Sequence, residues 1–319
     1  MPENNLPLPG NTPLLNLDGV LAKLECTNPC GSVKDRIARY ILEASEKSGA
    51  LKPGQAIIEA TSGNTGISLT YYAKKKGYRV LIVMPSDMTE ERKRIIRDFG
   101  GELIEVEPGD FAQAARVRDE LAKHHGYFNP DQFSNPLNVE CHYRTTAQEI
   151  LDQLKGQTVD AFVAGVGTGG TLMGVGKRLK EAFPKIRIIA VEPSESAIMS
   201  GGTHQPHGIS GIGDGFIPPI ASDGKGGRAA LIDDVICISS KDALKAARML
   251  QEVHGYCVGV SSGANFLAAR SLLPKLSTVV TILSDGYFKY TSRGLTASDR
   301  CPYRNDHSAI LTSGQNKKS

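Results

Sequence analysis

The chain has 319 residues, of which 40% are hydrophobic and 22% charged, a composition typical of a globular protein with a substantial core. Its 37 basic residues nearly balance 34 acidic ones, which disfavours proteins that bind nucleic acids or membrane surfaces through a basic excess. No apolar run approaches the roughly 20 residues of a membrane helix, and the first residues lack a signal-peptide pattern. We therefore expect a cytoplasmic protein.

The six cysteines are scattered along the chain, which in the absence of an export signal favours reduced thiols. Cys26 and Cys30 are four residues apart, but no other Cys or His lies at ligand spacing nearby. The sequence therefore predicts no metal site.

From residue 56 onwards, apolar segments of strand length alternate with segments of helix length. Strands are predicted at 56–62, 79–86, 102–107, 160–166, 187–193 and 278–285. Helices are predicted at 67–77, 89–100, 111–125, 140–154 and 171–183, from Asp242 onwards, and through 264–273. This alternation predicts an α/β fold of parallel sheets with helices on both faces.

Two segments rich in glycine and proline interrupt this alternation. Residues 130–138 are a candidate domain junction. Residues 201–219 are too long and too rich in glycine for a simple connector, and such loops usually carry function. The polar tail after Arg300 is expected to fray.

Three loops lie between a predicted strand or turn and a helix, where α/β sheets bind ligands. The first, TSGNTG at 61–66, offers backbone amides, three hydroxyls and the positive end of a helix, which suit a carboxylate or a phosphate. The same residue types also cap helices without any ligand. This loop alone leaves both interpretations open.

The second loop, GVGTGGTLMG at 165–174, fits the G-x-G-x-x-G pattern, and Glu192 follows the next strand. These features are typical of dinucleotide binding, so an NAD-dependent dehydrogenase is a real alternative. The loop also contains Thr168 and Thr171, whose hydroxyls beside a helix start suit a single phosphate equally well.

The third loop, GVSSG at 259–263, fits the G-x-S-x-G pattern of a hydrolase, with Ser261 as nucleophile and Asp285 and His307 as partners. Against this, His307 lies in the polar tail and no apolar strand leads into Gly259. The hydrolase is disfavoured.

Lys34 distinguishes the remaining alternatives. It follows a Pro-Cys-Gly turn in the stretch NPCGSVKDR at 28–36. A dehydrogenase needs neither this lysine nor a second anion loop. A pyridoxal phosphate enzyme needs an amine for a Schiff base, a cradle for one phosphate and a seat for the substrate carboxylate.

The chain resembles the cysteine synthase and cystathionine β-synthase family of pyridoxal phosphate enzymes over residues 9–293. The motifs that carry the resemblance are, in order, NPCGSVKDR, TSGNTG, GTGGT, GISGIGDGFIP and GVSSGA. It implies fold type II, similar to the tryptophan synthase β chain, with two domains that each contain a mainly parallel sheet. The larger, cofactor-binding domain would comprise 9–34 and 138–300, the smaller mobile domain 35–137, and the tail 301–319.

The resemblance also assigns roles to single residues. Lys34 would form the internal aldimine and then act as general base on the α-proton. Asn64 would contact the 3′-oxygen of the cofactor, and Ser261 the pyridine nitrogen. The phosphate cup would be Gly167, Thr168, Gly169, Gly170 and Thr171. The substrate site would comprise Thr61, Ser62, Thr65 and Gln132 for the carboxylate and Gly211 at the mouth.

The implied reaction is a β-replacement that forms L-cysteine from an O-activated serine, first of all O-acetylserine, and sulfide through an α-aminoacrylate intermediate. O-phosphoserine or serine with another nucleophile, as in cystathionine β-synthase, is the alternative. The NAD-dependent dehydrogenase is a remote one. The resemblance further implies a homodimer and pyridoxal 5'-phosphate as cofactor.

Some positions depart from the family pattern or stay open. Cys30 stands where relatives commonly have glycine or alanine, and a tolerated small side chain is favoured over a redox role. Asp285 lies at a variable position. A phosphorylated donor would require a basic residue at the mouth, and the candidates, each more typical of a solvated surface charge, are Arg92, Arg144 and Lys289.

Overall fold

The computed structural model describes residues 7–296 and 299–301. His307 and nearly all of the predicted tail therefore lie outside the described residues. The strands are β1 (Leu14–Leu17), β2 (Val20–Leu24), β3 (Ile57–Ala60), β4 (Val80–Pro85), β5 (Glu102–Val106), β6 (Ala161–Gly165), β7 (Arg187–Pro193), β8 (Asp234–Ile238) and β9 (Val279–Leu283). The helices are α1 (Lys34–Ser48), α2 (Asn64–Lys75), α3 (Glu90–Asp98), α4 (Phe111–His125), α5 (Pro136–Arg144), α6 (Thr146–Leu154), α7 (Gly170–Ala182), α8 (Ser240–His254) and α9 (Val260–Arg270).

The larger sheet has the strand order β1-β2-β9-β6-β7-β8 and is parallel except for the β1–β2 pair. Its residues alternate between two hydrophobic clusters, as expected when both faces are covered. Ala161 and Val163 belong to the cluster that contains α8 and α9, whereas Phe162 and Ala164 pack with α6 and α7. This arrangement confirms the predicted α/β class.

The smaller sheet has the order β3-β4-β5 and is entirely parallel. Ile57 and Ile82 face the cluster that contains α2 and α3, and Ile58 and Val83 pack against α4. The division of the chain into two domains with the boundaries given above, and the mobility of the smaller one, stay predictions.

The sequence pattern missed the hairpin formed by β1 and β2. Its turn is Asp18-Gly19, both with positive φ (49° and 89°), which is the strongest short-range signal for such a turn. The hairpin matters because β2 pairs with β9 and leads into the segment that ends at Lys34.

The predicted single helix over 140–154 is wrong, because α5 and α6 are separate helices that meet at Thr145. This residue has φ −110° and ψ −71°, and both its amide and its Oγ1 hydroxyl donate to the Cys141 carbonyl. The side chain thus competes for a carbonyl that helix continuation uses, which favours a bend. Helix α5 begins earlier than predicted, after the Asn135 cap and with Pro136 in its first turn.

The loops at 61–66 and 165–174 follow the carboxyl ends of β3 and β6, and the loop at 259–263 precedes α9. Because β3 and β6 belong to different sheets, these loops can build one site only where the carboxyl ends of the two sheets face the same space. Within the described residues, no helix has the length and apolar character needed to cross a membrane.

Candidate active site

One cavity, here called the Lys34 cavity, brings together every predicted site residue except Gly170. Those that line it are Lys34, Thr61, Ser62, Asn64, Thr65, Gln132, Gly167, Thr168, Gly169, Thr171, Gly211 and Ser261. Gly170 lies directly beside them as the first residue of α7. Segments separated by more than two hundred residues in sequence therefore converge on one lysine. The individual roles assigned to these residues stay predictions.

Lys34 opens α1, and the turn before it is fixed from several sides. Ser32 Oγ accepts a hydrogen bond from the Lys34 amide at 3.3 Å, and the Val33 amide donates to the Ser284 carbonyl at the end of β9. The buried Asp35 carboxylate accepts from the Cys30 amide and from the Ser68 hydroxyl of α2. The lysine therefore projects from a rigid base rather than from a mobile turn.

The amine of Lys34 has an unusual acidity. Burial lowers its pKa from 10.5 to about 8, although the carboxylates of Asp214 and Glu59 oppose that change. No described residue accepts a hydrogen bond from its Nζ atom. A neutral, unengaged amine is what nucleophilic attack on an aldehyde requires, so the site is prepared for a Schiff base.

The phosphate-type loop is shaped by its glycines. A Cβ atom at Gly167 would overlap the Gly211 carbonyl oxygen, and one at Gly170 would overlap the side-chain amide of Asn138. Gly169 has φ +85°, which favours glycine. Within the described chain, the amides of Gly167, Thr168 and Gly169 donate to no backbone carbonyl. Free amides at the start of a helix form an anion site.

Two side chains support this loop from behind. Asn138 Nδ2 donates to Thr168 Oγ1 at 3.0 Å and also to the Gln132 carbonyl. His142 Nε2 lies 3.2 Å from Thr171 Oγ1, and its Nδ1 lies 2.9 Å from Thr146 Oγ1. Burial holds the pKa of His142 well below its ordinary value. The imidazole is therefore neutral and orients the threonine hydroxyl without adding charge.

The loop at 61–66 is held by contacts of its own. The Thr61 amide donates to the Val83 carbonyl of β4, and Thr65 Oγ1 donates to Gln132 Oε1 at 2.6 Å. Gly63 has φ +139°, and a Cβ atom there would overlap the Arg92 side chain. The hydroxyls of this loop and the start of α2 thus line the cavity, and the Arg92 side chain packs against the loop backbone at Gly63.

Two polar atoms at this loop are buried without a partner among the described residues. Asn64 Nδ2 donates to Asp285 Oδ2 at 2.8 Å, but Asn64 Oδ1 and Asp285 Oδ1 have no partner. Buried polar atoms are nearly always hydrogen-bonded in a complete site. Asn64 lines the Lys34 cavity, so its free oxygen is available to a polar ligand that fills it.

The structure argues against both alternative enzymes. The Glu192 carboxylate is occupied by the amides of Met199 and Ser200 and by the Ser200 hydroxyl, so it is not free to bind a ribose. Ser261 lies in the first turn of α9 rather than on a turn after a strand. Its proposed partner His307 lies outside the described residues.

The surface-charge prediction is wrong for two of the three basic residues. Arg92 is 2% exposed and stacks 4.4 Å from the Tyr290 ring, and Lys289 is fully buried with Nζ donating to the Gly31 carbonyl. Arg144 is exposed and pairs with Glu140. None of the three lines the Lys34 cavity. Cys30 is fully buried, and burial raises the pKa of its thiol, which favours the small-side-chain interpretation over a redox role.

Sequence reasoning missed Asp214, which lines the Lys34 cavity. It lies between Gly213 and Gly215, both with positive φ, so the pattern resembled an ordinary turn. Asp214 also lines a second cavity, here called the outer cavity, which shares six residues with the first: Ser62, Phe111, Ser210, Gly211, Ile212 and Asp214. The signal that could have found it is a charged residue within an otherwise neutral glycine-rich motif.

Comparison with known proteins agrees with this geometry. The family model described as "pyridoxal-phosphate dependent enzyme" matches residues 6–285. A cysteine synthase of Staphylococcus aureus is 42% identical over 303 residues, covering 91% of this chain and 96% of that protein. The cysteine synthase structure from Entamoeba histolytica is 38% identical, with a TM-score of 0.83 and coverage of 98% and 97% of the two chains.

A third relative is the O-acetylserine dependent cystathionine β-synthase of Helicobacter pylori. It is 37% identical with a TM-score of 0.84, covering 90% of this chain and 96% of that chain. The free amine, the anion loop at α7 and the unpartnered Asn64 oxygen fit the cofactor that the family uses. This protein therefore belongs to the family of pyridoxal-phosphate dependent enzymes, and pyridoxal 5'-phosphate is its cofactor.

Proposed function

We propose that the protein forms L-cysteine from O-acetylserine and sulfide by β-replacement. The observation that carries this proposal is the single cavity in which Lys34 lies between two separate anion-binding loops. One loop suits the cofactor phosphate and the other the carboxylate of an amino acid. The cysteine synthase relative and the solved cysteine synthase support the same reaction.

The bound cofactor supplies an aldehyde and an electron-withdrawing ring that makes the α-proton of an amino acid acidic. Lys34 would hold this aldehyde covalently until a substrate amine replaces it. The freed amine, whose pKa is about 8, then suits the removal of the α-proton near neutral pH. The leaving group departs from the β-carbon, the acceptor adds there, and Lys34 returns the proton.

The loop at 61–66 would hold the substrate carboxylate with its amides and with Thr61, Ser62 and Thr65. Gln132 anchors this loop through Thr65, and Asn64 contacts Asp285 across to the larger sheet. The seat thus fixes the α-carbon near Lys34, which provides the orientation that proton transfer needs. Closure of the smaller domain over the substrate would exclude water.

The charge around the outer cavity supports an acetylated rather than a phosphorylated donor. Three carboxylates, those of Asp87, Asp110 and Asp214, line it. The arginine that lines it, Arg293, donates to the Gly208 carbonyl and the Ser210 hydroxyl at 3.3 Å, and the histidines His204 and His207 line it as well. Carboxylates repel a doubly charged phosphate, whereas a neutral acetyl ester avoids that cost.

A second candidate is the transfer of the same donor fragment to a larger thiol. The Helicobacter pylori relative, named as an O-acetylserine dependent cystathionine β-synthase, favours it, and so does the outer cavity, which offers room beyond Lys34. We also propose a cytoplasmic homodimer, on the basis of the family likeness.

The decisive experiment supplies the purified protein with each donor in turn. O-Acetylserine, O-phosphoserine and serine are added separately, first without and then with sulfide, while visible absorbance and cysteine formation are recorded. We expect O-acetylserine to change the spectrum and sulfide to restore it as cysteine appears, with no response from Lys34→Ala. A wild type that responds to no donor, or a colourless protein that binds NAD, contradicts the proposal.

A further inference from the structure

Asp214 is held in a fixed place at the junction of the two cavities. The Gly213 amide donates to the Val166 carbonyl at 3.0 Å, which ties the segment to the phosphate-type loop. The Gly213 carbonyl accepts from Ser196 Oγ at 3.0 Å and lies 2.9 Å from His207 Nε2. The backbone next to Asp214 is therefore fixed, and Asp214 lines the same cavity as Lys34.

The carboxylate itself is unengaged. No described residue donates a hydrogen bond to it. Burial raises its pKa to about 6, although the positive charge of Lys34 opposes that change. Near neutral pH it is therefore largely ionised, yet it accepts a proton more readily than an ordinary aspartate. These are the properties of a general base.

The proton transfer assigned to Lys34 does not require the Asp214 carboxylate. Lys34 moves the α-proton, and acetate leaves the β-carbon without help from an acid. A negative charge at Asp214, in the cavity that contains Lys34, also opposes an anionic acceptor such as hydrosulfide, because like charges repel strongly where little water is present. The outer cavity, which shares six lining residues with the Lys34 cavity, contains two further carboxylates, Asp87 and Asp110.

We propose that Asp214 is the general base for the second substrate, and that this substrate enters as a neutral S–H compound, hydrogen sulfide or a small thiol. The inference rests on the function proposed above and specifies its acceptor. The S–H bond breaks, its proton passes to the Asp214 carboxylate, and the sulfur electron pair forms the bond to the β-carbon. The departing acetate has taken the electron pair of the C–O bond, and Asp214 releases its proton to solvent.

The test compares two acceptors with opposite protonation states at pH 7. 2-Mercaptoethanol is almost fully protonated, whereas 4-nitrobenzenethiol is almost fully ionised. The purified holoprotein is first mixed with O-acetylserine, and the rate at which each thiol restores the visible spectrum is measured in one turnover. In Asp214→Asn, we expect the rate ratio of the protonated to the ionised thiol to fall roughly 10²-fold.

Two further variants make the test specific. Asp98→Asn changes an exposed carboxylate at the end of α3 and should leave the ratio unchanged. In Asp214→Ala, added formate should restore the reaction of 2-mercaptoethanol in a concentration-dependent way, which a purely structural loss would not allow. This variant also serves if Asp214→Asn does not fold.

The outcomes separate the two proposals. If the wild type converts O-acetylserine with neither thiol nor sulfide, the proposed function fails and the inference fails with it. If the wild type reacts but the ratio stays within threefold in both Asp214 variants, or formate has no effect, Asp214 is not the base and only the inference is overturned.

Discussion

The low pKa of Lys34 predicts how fast the protein captures its cofactor at different pH values. Burial lowers that pKa from 10.5 to about 8. At pH 7 about 9% of such an amine is neutral, against about 0.03% for an ordinary lysine, so the reactive form is about 300-fold more abundant. The capture rate should therefore rise about tenfold per pH unit below pH 8 and level off above it.

The assay mixes cofactor-free protein with pyridoxal 5'-phosphate and follows visible absorbance from pH 6 to pH 10. Nα-Acetyl-lysine under the same conditions is the control, because division by its rate removes the ionisation of the cofactor itself. The normalised rate should then stay constant up to about pH 8 and fall above it, because the neutral fraction of the ordinary amine continues to rise. If the protein's rate instead continues to rise from pH 8 to pH 10 in parallel with Nα-acetyl-lysine, Lys34 has an ordinary pKa and the argument from burial is refuted.

Three further predictions concern the phosphate cup, the pH dependence of stability and the reactivity of Ser261. Gly170→Ala should lower the free energy of unfolding by about 1–3 kcal/mol and weaken cofactor binding, because the Cβ atom of the alanine would overlap the Asn138 side chain. Urea unfolding measures the first effect and cofactor titration the second. Burial would raise the pKa of Glu149, but the hydrogen bonds from Arg36 lower it to about 2. The ionised carboxylate therefore stabilises the fold above about pH 4.5, and this stabilisation is lost as the pH falls towards 2. Glu149→Gln should be less stable at pH 7 and show a flatter dependence between those values in urea unfolding; an unchanged slope contradicts this. A fluorophosphonate should label the wild type no more than Ser261→Ala.

Local features made much of the site predictable. Glycines and hydroxyl residues that follow a buried strand and open a helix have few physical uses, so the loops at 61–66 and 165–174 could be found from short sequence windows. Lys34 could be interpreted as a Schiff-base lysine only because both of these loops were predicted in the same chain. The alternation of strand and helix segments likewise indicated parallel sheets before any contact was known.

Other features of the site and the fold could not be predicted, because most of them depend on contacts between residues far apart in the sequence. Arg92 and Lys289 look like surface charges until Tyr290 and the Gly31 carbonyl are brought against them from far along the chain. Asn138 supports the phosphate-type loop from α5 without a motif of its own. The break at Thr145 arises from one side-chain hydrogen bond, which helix periodicity does not reveal.

The central claim is that Lys34 carries the cofactor between two anion loops. The most direct measurement reduces the purified protein with borohydride, digests it and locates the cofactor by peptide mass spectrometry. We expect one pyridoxyl group, on the peptide that contains Lys34, and none in Lys34→Ala. A pyridoxyl group on another lysine, or an unmodified Lys34 peptide from a yellow protein, would contradict it.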